Sequence, residues 1–373
     1  MPKENNNKKK AADFTLLLSV IILSIIGLIM VFSASMPHAI AKYNNGYYFL
    51  KKHARFLIIG FLGMFVCMNI NYKYWSKLSI LAFVGSIFLS ALVVLTPLGV
   101  EHNGAYRWLN IFGFEFMPSD IVKVSSIMYF ATFLSTKQKD IKSLQHGTIV
   151  GAVIVGISLI FIFKNDLGTT MIIFGTLAMM FFVGGLNMVH VFAVAPFLGF
   201  GFVYFIKNLT GFRKQRLVAF MDPFAYKQDS GWQVVQSLYA IGSGGIFGVG
   251  LGQSRQKFFY LSEAYNDFIF AIIAEELGLI GAIIVISLYL VLIYRGIKIA
   301  INIDDLFGKF LATGLTSLRA VQSLVHLAVV TSSIPTTGVT LPLISYGGTS
   351  LIIILCSMGI LLNISRYSNL DRS

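Results

Sequence analysis

The stretch YNDFIFAIIAEELG, residues 265–278, places three carboxylates, Asp267, Glu275 and Glu276, in an otherwise apolar segment. The segment stays apolar to about residue 294, which is long enough to cross a hydrocarbon core of ~30 Å. Ionisable groups at bilayer depth cost roughly 2.5–3.5 kcal/mol each, so they usually have a partner or a function. The stretch therefore predicts a membrane helix that begins at Asp267 and has charged side chains at bilayer depth.

The composition is that of a polytopic membrane protein. Hydrophobic residues make up 56% of the 373 residues and charged residues only 12%, a balance that excludes a soluble globular domain. We expect an all-α integral membrane fold with about ten transmembrane helices, in a single domain over residues 1–373. The predicted spans lie near 14–33, 55–70, 78–97, 119–135, 148–163, 168–185, 188–206, 267–294, 310–333 and 346–364.

The Lys and Arg distribution predicts the orientation of these spans. An even number of spans puts both termini on one side, and an inside N-terminus places most short-loop cations, such as Lys73 and Arg295, in the cytoplasm. We therefore expect a cytoplasmic N-terminal tail at 1–13 and a cytoplasmic C-terminal tail at 365–373. The polar, basic and glycine-rich segment 207–266 is expected to be a large external loop between helices 7 and 8.

Several classes of partner are excluded by the distribution of residue types. The formal net charge of +13 is spread over loops on both faces, which argues against a nucleic-acid partner and fits contacts to anionic head groups. No His, Cys, Asp or Glu cluster has the spacing of a dedicated metal site. No cofactor is indicated, although a divalent cation assisting an anionic substrate stays an open alternative.

The helix predicted from Asp267 has one face of small residues. At 100° per residue, Asp267, Ala271, Ala274, Glu275 and Gly278 fall within about 100° of one another. Small residues permit close helix packing, so this face should point into the bundle. Asp267 would then lie at the external mouth, with Glu275 roughly 12 Å deeper. A functional carboxylate is favoured for Asp267 over the alternative of a helix N-cap.

A second charged stripe occurs in the ninth predicted span. Arg319, Gln322 and His326 lie at i, i+3 and i+7 and share one helix face. Arg319 is at a depth similar to that of Glu275 and Glu276, which predicts an intramembrane ion pair between Arg319 and one of these glutamates. We favour a purely structural role for this pair, because buried ion-pair networks are commonly structural.

The segment 207–266 has the composition of an anion-binding surface. Its motif IGSGGIFGVGLG, 241–252, offers flexible backbone that can approach an anionic ligand, or alternatively the tight turns of a re-entrant segment. Nearby cations able to bind a diphosphate are Arg213, Arg216, Arg255 and Lys257.

Seven stretches carry a resemblance to a known family. They are NGAYRWLN (103–110), PSDIVK (118–123), DLGTT (166–170), RLVAFMDPF (216–224), QSLYAIGSGGIFGVGLGQSRQKFFYL (236–261), DFIFAIIAEELG (267–278) and TGVTLPLISYGGTSL (337–351). The chain resembles the SEDS family (shape, elongation, division and sporulation), the membrane peptidoglycan polymerases typified by FtsW, RodA and SpoVE. Two of the stretches, DPF and GLGQSRQKFFYL, are more similar to the FtsW/SpoVE branch.

The resemblance implies a ten-helix enzyme of the bacterial cytoplasmic membrane that polymerises lipid II, the undecaprenyl-diphosphate-linked disaccharide-peptide, at the outer face. It maps the essential aspartate of the family onto Asp267, as a general base for an acceptor sugar hydroxyl. The cations that would stabilise the departing diphosphate are Arg107, Lys123, Arg216 and Lys257. The implied partners are a class B penicillin-binding protein and proteins of the divisome or of sporulation. The chain departs from the family pattern at Asp120, Arg319 and His326, where glutamate, an apolar residue and asparagine are usual.

Two alternatives to the polymerase stay open at this point. In a flippase, Glu275, Glu276, Arg319 and His326 would line a route for lipid II across the membrane. A non-catalytic scaffold for a transpeptidase fits the helix-packing features but leaves Asp267 unexplained. The external position predicted for the most distinctive residues favours the enzyme.

Overall fold

The computed structural model describes residues 10–102, 105–187, 189–190, 192–193, 207–208 and 211–369, the side chains of His102, Phe212 and Arg213 excepted. The structure is dominated by helices. They are α1 (Phe14–Tyr43), α2 (Tyr48–Asn69), α3 (Lys73–Leu95), α4 (Pro118–Thr136), α5 (Val150–Leu159, preceded by a π-helical turn Leu144–Ile149), α6 (Leu167–Val183), α7 (Gly211–Met221), α8 (Trp232–Ser243), α9 (Ile269–Ile301), α10 (Leu306–Val330) and α11 (Thr349–Ser365).

Nine of the ten predicted spans correspond to the helices α1–α6 and α9–α11. The tenth, 188–206, falls almost entirely outside the described residues. By length and apolar composition, α1, α3 and α9 can each cross a membrane. The first span is longer than predicted, because α1 continues past the apolar run and through Pro37 to Tyr43.

The helices pack closely where small residues face a neighbour. A Cβ atom added to Gly359 of α11 would lie 2.3 Å from the carbonyl oxygen of Met64 in α2. Gly60 of α2 similarly faces Leu355 of α11, whose side chain is fully buried. Such contacts between backbones are typical of membrane helix pairs, in which small residues allow close approach.

The helix predicted from Asp267 differs from the expectation in two ways. It begins at Ile269, so Asp267 precedes α9 rather than lying within it. It is also interrupted at Gly278, whose φ of 67° and ψ of −166° are not helical. The continuous face predicted from Asp267 to Gly278 was therefore wrong, because a helical wheel assumes an unbroken backbone.

The break in α9 is bridged by the segment 245–250. The amides of Val249 and Gly250 donate to the carbonyls of Glu275 and Glu276, at 3.0 Å each. In return, the amides of residues 279 and 280 donate to the carbonyls of residues 245 and 246, at 2.9 and 3.2 Å. Backbone groups that an unbroken helix would pair internally thus pair with this segment, as apolar surroundings require.

Three short strands precede α4, between the third and fourth predicted spans. They are β1 (Gly99–His102), β2 (Ala105–Ile111) and β3 (Phe114–Phe116), and they form an antiparallel sheet in the order β1-β2-β3. Leu109 of β2 is fully buried and pairs with Gly99 on one side and Phe116 on the other. The sheet is a local exception to the predicted all-α fold, and its middle strand carries Arg107.

Candidate active site

A cavity of about 480 Å³ lies where α2, β2, α4, α6 and α10 meet the segments 263–267 and 338–350. Its wall combines aromatic side chains, glycine backbone and charged groups. The charged residues are Lys52, Arg107, Lys123, Glu115, Asp120, Glu263 and Asp267. A volume in this range and a wall with converging charges are typical of a small-molecule or substrate site.

Asp267 and Arg107 meet at Gly338. A Cβ atom added to Gly338 would lie 3.3 Å from Asp267 Oδ2 and 3.5 Å from Arg107 Nη1. Gly338 has φ +78°, a conformation that glycine adopts without strain. The absence of a side chain at this position therefore lets the carboxylate and the guanidinium approach the same short piece of backbone.

Asp267 is held by a turn that also presents Glu263. The amide of Asp267 donates to the carbonyl of Glu263 at 3.2 Å, and Asn266 Nδ2 donates to Glu263 Oε2 at 2.6 Å. Ser345 Oγ donates to the carbonyl of Asn266 at 2.7 Å, which ties the turn to the chain before α11. Two carboxylates are thereby fixed on one side of the cavity.

The pKa of Asp267 is raised from 3.8 to about 7. Burial is the main cause, because a low-dielectric environment disfavours the charged carboxylate. The neighbouring Glu263 raises the pKa further, whereas Arg107 and Arg216 lower it. A carboxyl that titrates near neutral pH is suited to accept and release a proton during a reaction.

Arg107 is oriented by the residues before α6. Its Nε donates to the carbonyl of Asn165 at 3.1 Å and lies 3.8 Å from Asp166 Oδ2. Asp166 in turn caps α6, because its Oδ1 accepts from the amide of Thr169 at 3.0 Å. The capping carboxylate thus fixes the helix and the guanidinium together.

Lys123 and Asp120 form an ion pair in the cavity wall. Lys123 Nζ lies 2.6 Å from Asp120 Oδ1, one turn apart on α4, and both side chains are buried. Two residues of α10 contact the backbone at 339–340, which also lines the cavity. Gln322 Nε2 donates to the carbonyl of Thr340 at 3.0 Å, and His326 Nδ1 lies 2.8 Å from the carbonyl of Val339. His326 therefore has a positioning contact to the segment that carries Gly338.

Of the predicted cations whose side chains the structure describes, Arg216, Arg255 and Lys257 do not line the cavity. Arg216 of α7 donates from Nη1 to the carbonyl of Thr336 at 3.1 Å, and its charge lowers the pKa of Asp267. Arg255 is exposed elsewhere. Lys257 is buried, with Nζ 2.8 Å from Glu276 Oε1. The side chain of Arg213 lies outside the described part of the structure.

The predicted ion pair between Arg319 and a glutamate of α9 was wrong. Glu276 pairs with Lys257 and also accepts from Ser33 Oγ at 2.7 Å. Glu275 accepts from Ser254 Oγ at 2.5 Å and from the amide of Arg255 at 2.9 Å. The segment 254–257 folds back against α9 and supplies these partners, which a comparison of helices alone does not consider.

Arg319 instead donates from Nη2 to Ser357 Oγ of α11 at 2.5 Å. It faces Asp120 and Lys123 across a small cavity. The four ionisable residues of the flippase alternative thus do not share one environment. Glu275 and Glu276 bind the segment 254–257, whereas Arg319 lines the small cavity and His326 contacts the carbonyl of Val339.

Comparison with known proteins places this geometry in a family. The sequence matches the family described as "Cell cycle protein", comprising FtsW, RodA and SpoVE, over residues 14–370. The chain belongs to the FtsW/RodA/SpoVE family. The match spans nearly the whole chain, so the family assignment covers both the cavity and the helices around it.

Relatives of this SEDS protein are similar over their full length. It is 42% identical to "Stage V sporulation protein E" of Bacillus subtilis (strain 168) over 363 residues, 97% of this chain and 99% of that protein. It is 39% identical to "Probable peptidoglycan glycosyltransferase FtsW" of Geobacter sp. (strain M18) over 354 residues, 95% of this chain and 96% of that one. These names favour the polymerase over the flippase.

Solved structures of SEDS proteins share the fold. A chain of the structure described as "Structural coordination of polymerization and crosslinking by a peptidoglycan synthase complex" aligns with a TM-score of 0.79 at 25% identity, covering 96% of this chain and 99% of that one. Thermus thermophilus RodA aligns with a TM-score of 0.69 at 24% identity, covering 96% and 98%. The ten-helix membrane fold predicted from the sequence is thereby confirmed, with the small sheet as an addition.

Several residues of the SEDS cavity were missed as site residues by sequence reasoning. Lys52, Glu263 and Gly338 line the cavity. The sequence predicted Lys52 to lie in a loop between two spans, and it singled out Gly338 only as part of the family stretch 337–351. Asp120 was noted for its departure from the family pattern, not for its contact with Lys123. The i, i+3 spacing of Asp120 and Lys123 was a usable signal, since such residues are neighbours on a helix.

Proposed function

We propose that this protein is a peptidoglycan glycosyltransferase that joins lipid II disaccharide-peptide units into glycan strands. The observation that carries the proposal is a carboxyl with a pKa of about 7, Asp267, in the wall of a cavity that also presents Arg107, Lys123 and Lys52. The relatives named as glycosyltransferases support the same activity.

In this reaction a sugar hydroxyl of the acceptor attacks the anomeric carbon of the donor. The bond from that carbon to the lipid diphosphate breaks as the new glycosidic bond forms. Asp267, as the carboxylate, accepts the hydroxyl proton, which increases the nucleophilicity of the attacking oxygen. The proton then leaves to solvent, which restores the base for the next sugar.

The departing diphosphate carries the developing negative charge. Arg107 and Lys123 lie in the cavity wall with Asp267, so they are placed to stabilise this charge. Lys52 is a third cation of the same wall. Lys257 has no part in this step, because its ammonium is buried against Glu276.

We further propose that the protein acts in the bacterial cytoplasmic membrane, with both termini in the cytoplasm and the cavity open to the outer side. A class B penicillin-binding protein transpeptidase is the proposed partner, supported by the synthase complex whose chain shares this fold. Proteins of the divisome or of sporulation are proposed further partners, supported by the names of the relatives. A divalent cation would enter with the diphosphate; the described residues include no cluster of three or more potential protein ligands for it.

The proposal is tested by purifying the protein with its candidate transpeptidase and measuring glycan-strand formation from lipid II. Wild type should form polymer, and Asp267→Asn should form none while retaining its elution profile in detergent. Arg255→Met, at an exposed site away from the cavity, is the matched control and should polymerise like wild type. Absence of polymer from wild type, together with translocation of labelled lipid II in vesicles, would replace the polymerase with the flippase.

A further inference from the structure

Arg319 is a buried guanidinium in the middle of α10. It is 2% exposed and donates to Ser357 Oγ, while its Nε has no hydrogen-bond partner among the residues that the structure describes. Burial of a cation is costly unless charge and hydrogen bonds compensate it. A serine hydroxyl does not neutralise a charge, so the compensating anion must be sought nearby.

The carboxylate that compensates Arg319 is Asp120. The two residues line the same small cavity of about 10 Å³, together with Lys123 and Gln322. A cavity of this size holds about one water molecule, and both side chains contribute to its wall. Their charges interact favourably across it.

This small cavity lies against the large one. Asp120, Lys123 and Gln322 belong to the walls of both, whereas Arg319 belongs only to the small one. Arg319 therefore cannot be a direct ligand of a molecule in the large cavity. It can act on such a molecule only through Asp120 and Lys123.

The charges of this cluster do not balance. One carboxylate, Asp120, faces two cations, Lys123 at 2.6 Å and Arg319 across the small cavity. In an isolated pair, movement of Lys123 toward another anion would leave a buried carboxylate unpaired, which is strongly unfavourable. With Arg319 present, Asp120 keeps a cation when Lys123 turns away.

We propose that Arg319 is a positioning residue that holds Asp120 and thereby releases Lys123 to bind the diphosphate of the lipid substrate at the inner end of the large cavity. The inference rests on the proposed function, since it names where the anionic part of that substrate binds. The cluster then has one net positive charge for this anion: Arg319 offsets the charge of Asp120, and Lys123 contacts the diphosphate.

The test measures binding separately from polymerisation. In the Asp267→Asn background, the affinity of undecaprenyl diphosphate is measured by competition with fluorescent lipid II. Arg319→Leu should weaken binding about tenfold, the factor expected from losing one charge-assisted hydrogen bond. Arg319→Lys keeps the charge and should stay within about threefold of the parent.

Two variants keep the result interpretable if Arg319→Leu folds poorly. Leu318→Ala, at a buried apolar position that lines the same small cavity, should reduce stability without weakening diphosphate binding. Asp120→Asn removes the competing anion, so binding should be at least as tight as in the parent. Weaker binding in Asp120→Asn would overturn the inference, because Asp120 would then orient Lys123 rather than restrain it.

Unchanged binding in Arg319→Leu would also overturn the inference. That outcome would leave the proposed function intact, because polymer formation by wild type and its loss in Asp267→Asn are measured independently. Conversely, if wild type forms no polymer, the proposed function fails whatever the binding of the Arg319 variants.

Discussion

Asp267 and Arg107 are 160 residues apart in the chain, and both side chains approach Gly338. Burial raises the pKa of the Asp267 carboxyl, and the Arg107 guanidinium lowers it. The balance leaves this pKa at about 7. Neither residue alone defines the acid–base behaviour of the site, because each sets the electrostatic environment of the other.

The pH dependence of polymerisation should follow this balance. A general base works as the carboxylate, so kcat/KM should fall as pH decreases through about 7. Glu263→Gln removes a like charge and should move the midpoint down by roughly one pH unit. Arg216→Met removes a cation that does not line the cavity, so the midpoint should move up. A profile with the same midpoint in wild type and both variants would contradict the role of Asp267 as the titrating base.

Asp267→Asn should inactivate the protein and stabilise it. The folded pKa of about 7 exceeds the ordinary value of 3.8, so the carboxyl favours folding only in its protonated form. As pH rises from 3.8 to 7, the unfolded state loses the proton first and the stability of the fold decreases. The gain in apparent Tm from Asp267→Asn should therefore be larger at about pH 8 than at about pH 5. An equal or smaller gain at the higher pH would show that the carboxylate is well solvated.

Gly338→Ala should impair catalysis more than stability. The added methyl group would lie 3.3 Å from Asp267 Oδ2, which must move by a few tenths of an ångström, and 3.5 Å from Arg107 Nη1, an ordinary van der Waals contact. A displacement of about 1 Å at a reacting group can reduce the rate on the order of a hundredfold, so this smaller shift of Asp267 should reduce it roughly tenfold. The matched control is Gly185→Ala, which has φ +91° and no atom within 4 Å of the added carbon. If both variants lose activity equally, backbone strain rather than the contact with Asp267 is responsible.

The buried pair Lys257–Glu276 should contribute to stability and not to substrate affinity. Lys257→Met leaves a buried carboxylate without its cation and should destabilise the fold by about 3–5 kcal/mol. The double variant Lys257→Met, Glu276→Leu removes both charges and should recover part of this loss. Thermal unfolding in detergent measures both, with the exposed Arg255→Met as control. If the double variant is no more stable than Lys257→Met, the unpaired charge of Glu276 is not the cause of the lost stability. The hydrogen bond to Ser33 and the packing around Glu276 would then determine it.

The sequence predicted the parts of the site that depend on local pattern. The apolar spans predicted nine of the helices described, and the family stretches identified Asp267 and Arg107 as residues of interest. The sequence also predicted that Gln322 and His326 share a face, and both contact the 339–340 backbone. These features follow from periodicity and composition, which a single sequence contains.

Partner choice between distant segments could not be predicted in the same way. One of the two glutamates, Glu275 or Glu276, was predicted to pair with Arg319 because the three residues have similar depths. Depth does not show that Lys257 returns into the bundle and pairs with Glu276. The glycine motif at 241–252 left a re-entrant turn open as an alternative, and its backbone does pair with α9. The sheet at 99–116 was missed because its strands are three to seven residues long and carry a mixed pattern.

The exchange of hydrogen bonds at Gly278 has a consequence for biogenesis. If α9 enters the bilayer before the segment 245–250 has docked, four backbone groups near the break lack partners in hydrocarbon, at several kcal/mol for each unpaired group. The nascent helix is therefore incomplete until the chain synthesised just before it folds back. We therefore expect insertion of α9 and docking of the segment 245–250 to be coupled steps.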